Sequence, residues 1–351
     1  MARLLSLIAA LATCAVSSVA LGQEPGAGIA CGDTITADST LDRDLTDCPS
    51  NGILIGADGI TLDLNGHTIS GDGKPVRRCR RDQICDVGVA NDDHAGVTIR
   101  GGAVRGFVIG VGVFRGRNNR FAELNSSQNQ FFGFVIAGSS RTVIRDSSGY
   151  DNPRPDGDGL GVFRSHDLRI VHNSFRHNGQ LGMHIEGSTE NLVRGNLVSR
   201  NGDFGMLIDA DRTQVRGNRS VRDGGTGILV GRGSRNVIAG NRISGSGEGI
   251  AVEKGRGNRV VRNVVAHTRK SGIRLGIGDP PIGSTGTLVR GNLVTSAGRD
   301  GFLVAKSDRN AILRSNTARR SGDDGFDINS SSAQLFGNRA LGSADFAIEL
   351  P

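Results

Sequence analysis

The side chains that could do chemistry are a histidine and several carboxylates at regular spacing. His184 and Glu186 are two residues apart, and Asp209 follows Glu186 after a further 23 positions. A histidine that shares a small site with carboxylates suits general acid–base catalysis. Such oxygen donors would also suit a Ca²⁺ ion, which prefers several carboxylate or carbonyl ligands. Whether the three residues meet depends on the elements that carry them.

A sequence repeat with a period in the low twenties runs along most of the chain. It starts with a Gly-x-x-apolar segment, at Gly110, Gly133, Gly159, Gly182, Gly205, Gly227, Gly249, Gly272, Gly301 and Gly325. A column of asparagines keeps the same phase, at Asn173, Asn196, Asn218, Asn241, Asn263, Asn292, Asn316 and Asn338. A fixed period of this length is typical of a solenoid.

Each repeat contains two or three runs of three to five residues in which apolar residues alternate. None of these runs has the ~10 periodic residues that a helix requires. The sequence therefore predicts an all-β solenoid with coils of about 22–24 residues, whose strands stack as parallel sheets about 4.8 Å apart. In each coil an asparagine amide can accept and donate hydrogen bonds along the solenoid axis.

Two segments near the start of the repeats resemble a known strand motif. They are 59–70, Gly-Ile-Thr-Leu-Asp-Leu-Asn-Gly-His-Thr-Ile-Ser, and 96–102, Gly-Val-Thr-Ile-Arg-Gly-Gly. They are similar to the common N-terminal motif of the right-handed parallel β-helix repeat family. The resemblance implies a right-handed parallel β-helix. It says less about activity, because the family includes polysaccharide lyases, pectin-degrading hydrolases, alginate epimerases and NosD-type periplasmic maturation proteins for copper sites.

The strand period indicates which side chains leave the solenoid. In the Gly-x-x-apolar strand the third and fifth residues point outward. This places His184 and Glu186 on the outer face, with Asp209 one coil later and Asp158 and Arg164 one coil earlier. We therefore expect these five side chains to form one polar group.

The resemblance also implies a reaction for this group. Lyases and epimerases neutralise the carboxylate of a uronate sugar and then remove the neighbouring proton. The predicted catalytic residues are His184, Glu186 and Asp209, and the predicted substrate-binding residues are Asp158, Arg164, Lys254 and Arg274. In this scheme an Arg or Lys neutralises the carboxylate and His184 abstracts the proton. The sequence calls for no particular cofactor, and Ca²⁺ is the candidate that these carboxylates would suit.

Two other interpretations compete with the enzyme. The polar residues could be a solvated face of a non-catalytic extracellular scaffold or adhesin. A NosD-like periplasmic maturation factor is a second alternative, but it would need exposed Met, His or Cys for copper, and Met183 and Met206 are expected to point inward. The chain also lacks the Asp-Pro-His motif of alginate epimerases and contains no Trp to stack on sugars.

Composition and charge indicate which class of molecule the protein binds. Gly accounts for 54 of 351 residues, and the formal net charge is +7. Residues 1–22 read as a signal peptide cleaved near Gly22, which predicts a secreted or periplasmic protein. In that location the basic surplus favours an acidic polysaccharide or cell-surface glycan over nucleic acid. No later segment reaches the ~18 apolar residues of a membrane span.

Four cysteines remain after the signal peptide: Cys31, Cys48, Cys79 and Cys85. An even number in an exported chain favours disulfides. Proximity favours Cys31–Cys48 and Cys79–Cys85 among the three possible pairings. The predicted division is a signal peptide over 1–22, a disulfide-containing β region over 23–95 and continuous β-helix repeats over 96–351. Residues 346–350 read as a last strand, whose open edge could allow self-association.

Overall fold

The computed structural model describes residues 28–75, 79, 84–153, 155–277 and 283–351. The predicted signal peptide and its cleavage site lie outside the described residues. Within the described residues all regular structure is strand, and every strand pairing is parallel. Among the described residues there is no helix long and apolar enough to cross a membrane. The predicted all-β solenoid is thus confirmed.

Sheet 1 contains one strand from each coil, in chain order. Its 14 strands are Asp33–Ile35, Ile53–Ile55, Val87–Asp92, Ile109–Phe114, Phe132–Ala137, Asp158–Phe163, Met183–Thr189, Met206–Asp211, Thr226–Arg232, Glu248–Val252, Ile273–Leu275, Phe302–Val304, Phe326–Ile328 and Ile348–Glu349. The ten strands from Ile109–Phe114 to Phe326–Ile328 are those that the Gly-x-x-apolar repeat predicts.

Sheets 2 and 3 contain the shorter strands of each coil and share two long strands, Thr98–Arg105 and Arg120–Ser127. The other strands of sheet 2 are Ser39–Thr40, Thr61–Asp63, Val143–Arg145, Arg169–Val171, Leu192–Arg194, Gln214–Arg216, Val237–Ala239, Arg259–Val261, Leu288–Arg290, Ile312–Arg314 and Gln334–Phe336. The other strands of sheet 3 are Leu45–Cys48, Thr68–Gly71, Ser148–Tyr150, Ser174–Arg176, Leu197–Ser199, Arg219–Val221, Arg242–Ser244, Val264–Ala266, Leu293–Thr295, Thr317–Arg319 and Arg339–Leu341. A separate pair joins Gly255–Arg256 to Ser284–Thr285.

The core is one continuous column inside the coils. In most three-residue strands of sheets 2 and 3 the middle residue is buried, as for Val193 and Val198, and its two neighbours face outward. In sheet 1 the residues that alternate with the outward positions, such as Ile185 and Ile208, fill the same column. Period-two alternation therefore fixes the outer face of every sheet.

The predicted asparagine column forms a hydrogen-bonded ladder at the corner between sheets 2 and 3. Asn241 is fully buried and donates its amide nitrogen to Asn263 Oδ1 at 3.0 Å and to the Val215 carbonyl at 2.9 Å. Its own Oδ1 accepts the backbone N–H of Asn218 at 2.9 Å. Each amide thus satisfies corner groups that burial would otherwise leave without partners.

Replacing Asn241 with Ala is expected to lower the free energy of unfolding by about 2 to 3 kcal/mol, because it leaves buried hydrogen-bond donors and acceptors on two neighbouring coils without partners. Urea denaturation measures this change. Asn329→Ala is the matched control, since Asn329 is exposed and, among the described residues, its side-chain amide has a hydrogen bond to Asp327 alone. Equal losses in the two variants would show that the ladder contributes no specific stability.

A second ladder was not predicted. Asn152 and Asn178 continue through Asn201 to Asp223, all buried at the end of sheet 3. Asp223 accepts from the backbone N–H and the amide of Asn201, at 3.0 and 2.9 Å. Burial raises the pKa of the Asp223 carboxyl. A carboxylate has no hydrogen to pass to the next coil, and the following ladder position is Ser246.

Both disulfides that sequence proximity favoured are present. Cys31 bonds to Cys48 and Cys79 bonds to Cys85, with Cα–Cα distances of 5.4 and 5.9 Å. The first bond joins the chain that enters the first coil to the first strand of sheet 3. Disulfides persist in oxidising compartments, which supports an extracellular or periplasmic location.

The last coil carries apolar side chains on its surface. Ile348–Glu349 pairs with Phe326–Asp327 on one side, and within the described residues no strand pairs with its other edge. Phe346, Ile348 and Leu350 are 54%, 41% and 64% exposed. Self-association through this edge stays a prediction.

Candidate functional site

His184 lies on the outer face of sheet 1, and its side chain is 13% exposed. Its strand pairs with Asp158–Phe163 on one side and with Met206–Asp211 on the other. The ring meets Phe163 edge-on, with the centroids 5.2 Å apart. The outward orientation follows from its third position in the Gly-x-x-apolar strand, so neighbouring coils hold the imidazole in place.

Two carboxylates flank the imidazole, one near each ring nitrogen. Asp158 Oδ2 is 3.7 Å from Nδ1, and Glu186 Oε2 is 3.5 Å from Nε2. Asp158 also accepts the backbone N–H of Leu181 at 2.9 Å. These distances are long for direct hydrogen bonds but short enough for ion pairs or one bridging water.

Asp158 and Glu186 differ strongly in environment. The Asp158 side chain is 3% exposed, whereas that of Glu186 is 35% exposed. Burial raises the pKa of the Asp158 carboxyl, and the neighbouring His184 opposes the shift. Two carboxyl groups in such unlike surroundings are suited to different roles in proton transfer.

Asp209 stands opposite Glu186 on the next coil. Its Oδ1 accepts the backbone N–H of Arg232 at 2.7 Å, where a register shift puts Arg232 rather than Gly231 beside it. Burial raises the pKa of Asp209, and the Glu186 charge adds to the effect. The four residues Asp158, His184, Glu186 and Asp209, here called the His184 cluster, therefore occupy three consecutive coils.

The predicted cations lie at unequal distances from this cluster. Arg164 is exposed, and its backbone N–H donates to the Glu186 carbonyl at 2.9 Å. Lys254 is also exposed, but it follows a strand three coils beyond His184, about 14 Å along the axis. The structure thus brings Arg164 to the edge of the cluster and leaves Lys254 apart from it.

Arg274 belongs to a different group of charges. It is four coils beyond His184, and its guanidinium contacts both oxygens of Glu248 at 2.9 and 3.0 Å and Glu253 at 2.9 Å. A further hydrogen bond reaches the Gly276 carbonyl. These two glutamates, which raise the pKa of Arg274 against its burial, occupy the donors that would neutralise a substrate carboxylate.

A groove of about 330 Å³ opens on the same face, beginning one coil beyond His184. Leu229, Glu248 and Arg274 lie in its lining, together with Phe204 and Asp203. Burial raises the pKa of Asp203. Part of one wall consists of Gly224, Gly225 and Gly247, which have no side chain to fill the space.

Apolar patches flank the His184 cluster along the axis. Before it, Phe132, Val135 and Phe163 pack together on the outer face. After it, Leu207 and Leu229 form a strip with Leu181 and Ala251. The polar His184 cluster therefore lies between two apolar patches of the outer face of sheet 1.

Further carboxylates gather near the end of sheet 1. Ligand atoms of Asp300, Asp324 and Asp327 lie within 4.8 Å of one another. Burial, together with the charges of Asp300, Glu349 and Asp324, raises the pKa of Asp327 to about 6. Asp300 and Asp324 come just before the strands Phe302–Val304 and Phe326–Ile328, and Asp327 is the middle residue of the second of these strands.

Comparisons with known proteins agree with this architecture. Residues 154–279 match the model of a family described as periplasmic copper-binding protein (NosD). No curated protein matches the sequence. The matched stretch covers about a third of the chain and includes the whole His184 cluster.

The matched stretch does not offer the soft ligands that a copper site favours. Met183 and Met206 are fully buried in the core. Among the described residues, the groups of three or more potential ligands that could hold a metal consist of aspartates alone. The methionines therefore supply no copper ligand at the surface, whereas the exposed imidazoles of His166, His172 and His177 are copper ligands that this stretch does offer.

Solved structures share the fold at low sequence identity. The A-module of a mannuronan C-5 epimerase from Azotobacter vinelandii superposes with a TM-score of 0.66 and 16% identity, over 88% of each chain. A periplasmic alginate epimerase gives 0.51 and 14%, over 82% of this chain and 62% of that one. A DFA-IIIase from Arthrobacter chlorophenolicus gives 0.53 and 14%, over 73% and 70%. By its stacked coils and these shared folds, this chain is a right-handed parallel β-helix protein.

Proposed function

We propose that this protein binds a uronate-containing polysaccharide along the outer face of sheet 1 and processes it at the His184 cluster as a lyase or C5-epimerase. The observation that carries the proposal is the imidazole of His184 held between Asp158 and Glu186. The groove beyond the cluster gives room for further sugar units of a chain lying along the axis. The enzymatic neighbours named above lend the proposal plausibility through the shared fold alone.

Each residue of the cluster has a role in this scheme. His184 removes the proton beside the sugar carboxylate. Asp158, buried against Nδ1, is a positioning residue that fixes the ring. Glu186 and Asp209 exchange protons with His184 or solvent. Arg164 supplies the positive charge for the sugar carboxylate, because it is exposed and lies at the edge of the cluster.

The first test is to incubate the protein with alginate, pectate and glycosaminoglycans, with and without Ca²⁺. Ultraviolet absorbance from unsaturated uronates would identify a lyase. Changed proton NMR signals of the polymer without new absorbance would identify an epimerase. No change on any of these polymers would reject the proposed uronate chemistry.

A NosD-like maturation role is the second candidate, and it rests on the family match over residues 154–279. A titration with Cu(I) and Cu(II), followed by calorimetry, tests it directly. Because Met183 and Met206 are buried, we expect no tight binding site. A non-catalytic scaffold or adhesin is the interpretation that would remain if both tests were negative.

A further inference from the structure

The arginines of this protein concentrate on one side of the solenoid. In sheets 2 and 3, from Thr98 to Leu341, the first and third residues of each three-residue strand face outward. The two eight-residue strands, Thr98–Arg105 and Arg120–Ser127, carry the same outward positions at each of their ends. Fifteen of these positions are arginine: Arg100, Arg105, Arg120, Arg145, Arg169, Arg176, Arg194, Arg216, Arg219, Arg242, Arg259, Arg290, Arg314, Arg319 and Arg339. Among the described residues of these strands the acidic residue is Glu123, which is exposed and lines one pocket with Arg100, Arg120 and Arg145, and none is Lys. We call this surface the arginine face.

Charge is thus segregated around the coil. The outer face of sheet 1 carries carboxylates, including Glu186, Asp209 and Asp327, whereas the arginine face carries almost pure positive charge. Only two arginines of this face have an ion pair among the described residues, Arg100 with Asp63 and Arg145 with Asp146. Of the other thirteen, Arg216 donates its Nε to Gln214 Oε1 at 2.9 Å and Arg176 lies over the Tyr150 ring, and the remaining eleven guanidiniums have no ion pair or side-chain hydrogen bond among the described residues.

The coils place like charges directly opposite one another. Arg194 pairs in register with Arg216, Arg219 with Arg242, and Arg290 with Arg314. Neighbouring parallel strands are about 4.8 Å apart, and like charges at directly opposed positions destabilise a sheet. A partner that carries regular negative charge would relieve this repulsion.

A furrow at Gly195, Gly217 and Gly240 runs between two rows of these arginines, and the His172 ring closes its end at Gly195, where Cδ2 lies 2.6 Å from the position that a Cβ would take. Arg-Gly-Asn occurs at 194–196, 216–218 and 290–292, at the corner between sheets 2 and 3. The corner glycines Gly195 and Gly217 adopt positive φ of 66° and 61°. Nothing lies within 4 Å of the position that a Cβ would take at Gly217 or Gly240. The asparagines turn inward to the ladder, so the corner surface is open at Gly217 and Gly240.

Four exposed arginines flank this furrow on consecutive coils. Arg194 and Arg216 lie on the sheet 2 side, and Arg219 and Arg242 lie on the sheet 3 side. We call these four residues the corner cluster. A guanidinium donates two parallel hydrogen bonds to a carboxylate or sulfate, which a lysine ammonium cannot do in the same geometry.

We propose that the arginine face, centred on the corner cluster, binds a linear acidic polysaccharide along the solenoid axis, separately from the His184 cluster. The four guanidiniums and the open glycine furrow fit a polymer with a carboxylate or sulfate on each unit. The two disulfides favour an oxidising compartment, where such glycans occur and nucleic acid is an uncommon partner. Among the described residues the corner cluster has no Phe, Tyr or Trp ring to stack on bases of single-stranded nucleic acid, and the ring beside it is the imidazole of His172.

The test measures binding of polymannuronate-rich alginate chains by calorimetry at 50 and 200 mM NaCl. Changing the corner cluster from four arginines to glutamines should weaken binding at least tenfold at the lower salt concentration. The matched control changes Arg117, Arg235, Arg256 and Arg309 to glutamine, which removes the same charge from exposed positions outside sheets 2 and 3. This control should weaken binding less than twofold. Circular dichroism verifies that both variants keep their β structure.

Several outcomes would overturn the assignment. Equal losses in the two quadruple variants would mean that net charge, not this surface, attracts the polymer. Tighter binding to duplex DNA than to alginate would replace the polysaccharide by nucleic acid. A corner-cluster change that alters only the oligomeric state, measured by light scattering, would assign the face to a second copy. Turnover of alginate is assayed apart from affinity, so a wild-type protein that binds alginate through the corner cluster without changing the polymer would reject the proposed reaction alone, and turnover without any loss of affinity in the corner-cluster variant would reject this binding face alone.

Discussion

Replacing His184 with Ala is expected to reduce turnover of a uronate polymer at least 100-fold, the usual range for loss of a general acid–base group. His184 is the histidine that lies on the outer face of sheet 1 with a carboxylate near each ring nitrogen. Its loss removes the proton acceptor and leaves the surrounding coils paired through their backbones. Initial rates from uronate absorbance or from NMR of the polymer measure the effect.

The matched control is His67→Ala. His67 also sits near a carboxylate, with Nδ1 3.2 Å from Asp44, but it belongs to the early coils far from the cluster. The control should retain full activity. If the two variants lose activity equally, the effect is on folding. If His184→Ala stays active, His184 is not the base.

Glu186→Gln separates catalysis from architecture within the cluster. This change keeps the side-chain volume and removes the charge 3.5 Å from the imidazole. We expect a shifted pH–rate profile with a smaller fall in rate than His184→Ala produces. An unchanged profile would show that Glu186 takes no part in proton transfer.

Much of the fold could be predicted from the sequence, because each coil of a solenoid is marked by residues within its own repeat. Gly182 and the later repeat glycines mark the start of each sheet 1 strand, and the asparagine column marks one corner of every coil. The period-two rule then assigned His184 and Glu186 to the outer face. The second ladder escaped notice because its positions change residue type, from Asn201 to Asp223 and Ser246.

The site was less accessible, because contacts between coils depend on register. The sequence aligned Arg274 with the other outward residues but could not show that Glu248 and Glu253 enclose its guanidinium. A register shift pairs Asp209 with Arg232 instead of Gly231, and strict period-two alternation does not predict such a shift. The charge segregation was also hidden, because the arginines are spread along the whole chain and meet only when the coils stack.

If both proposals hold, the arginine face and the His184 cluster would each contact an acidic polymer, in two different ways. The arginine face offers unpaired guanidiniums, whereas the His184 cluster offers carboxylates that repel a uronate unless Arg164 shields them. Binding and chemistry would then reside on different surfaces of the same coils. Affinity and turnover should accordingly respond to different substitutions.

A pH-dependent loss of stability is expected from one buried carboxyl outside both surfaces. Asp308 is 1% exposed, and its Oδ2 accepts the hydroxyl of Ser284 at 2.5 Å. Its Oδ1 is buried without a hydrogen-bond partner among the described residues. Burial raises the pKa of Asp308 from 3.8 to about 6.

The sign of the effect follows from the raised pKa. The folded state holds the proton more tightly than the unfolded chain, so Asp308 costs nothing below about pH 4 and destabilises the fold progressively up to pH 6. The shift corresponds to about 3 kcal/mol of unfolding free energy. Asp308→Asn carries no titrating group there, so its stability relative to the wild type should rise by this amount between pH 4 and 7. Urea denaturation across this range measures the difference, and the exposed Asp42→Asn variant should track the wild type. A difference between Asp308→Asn and wild type that does not change with pH would mean that Asp308 stays ionised in the folded protein, with a water or ion near its free oxygen.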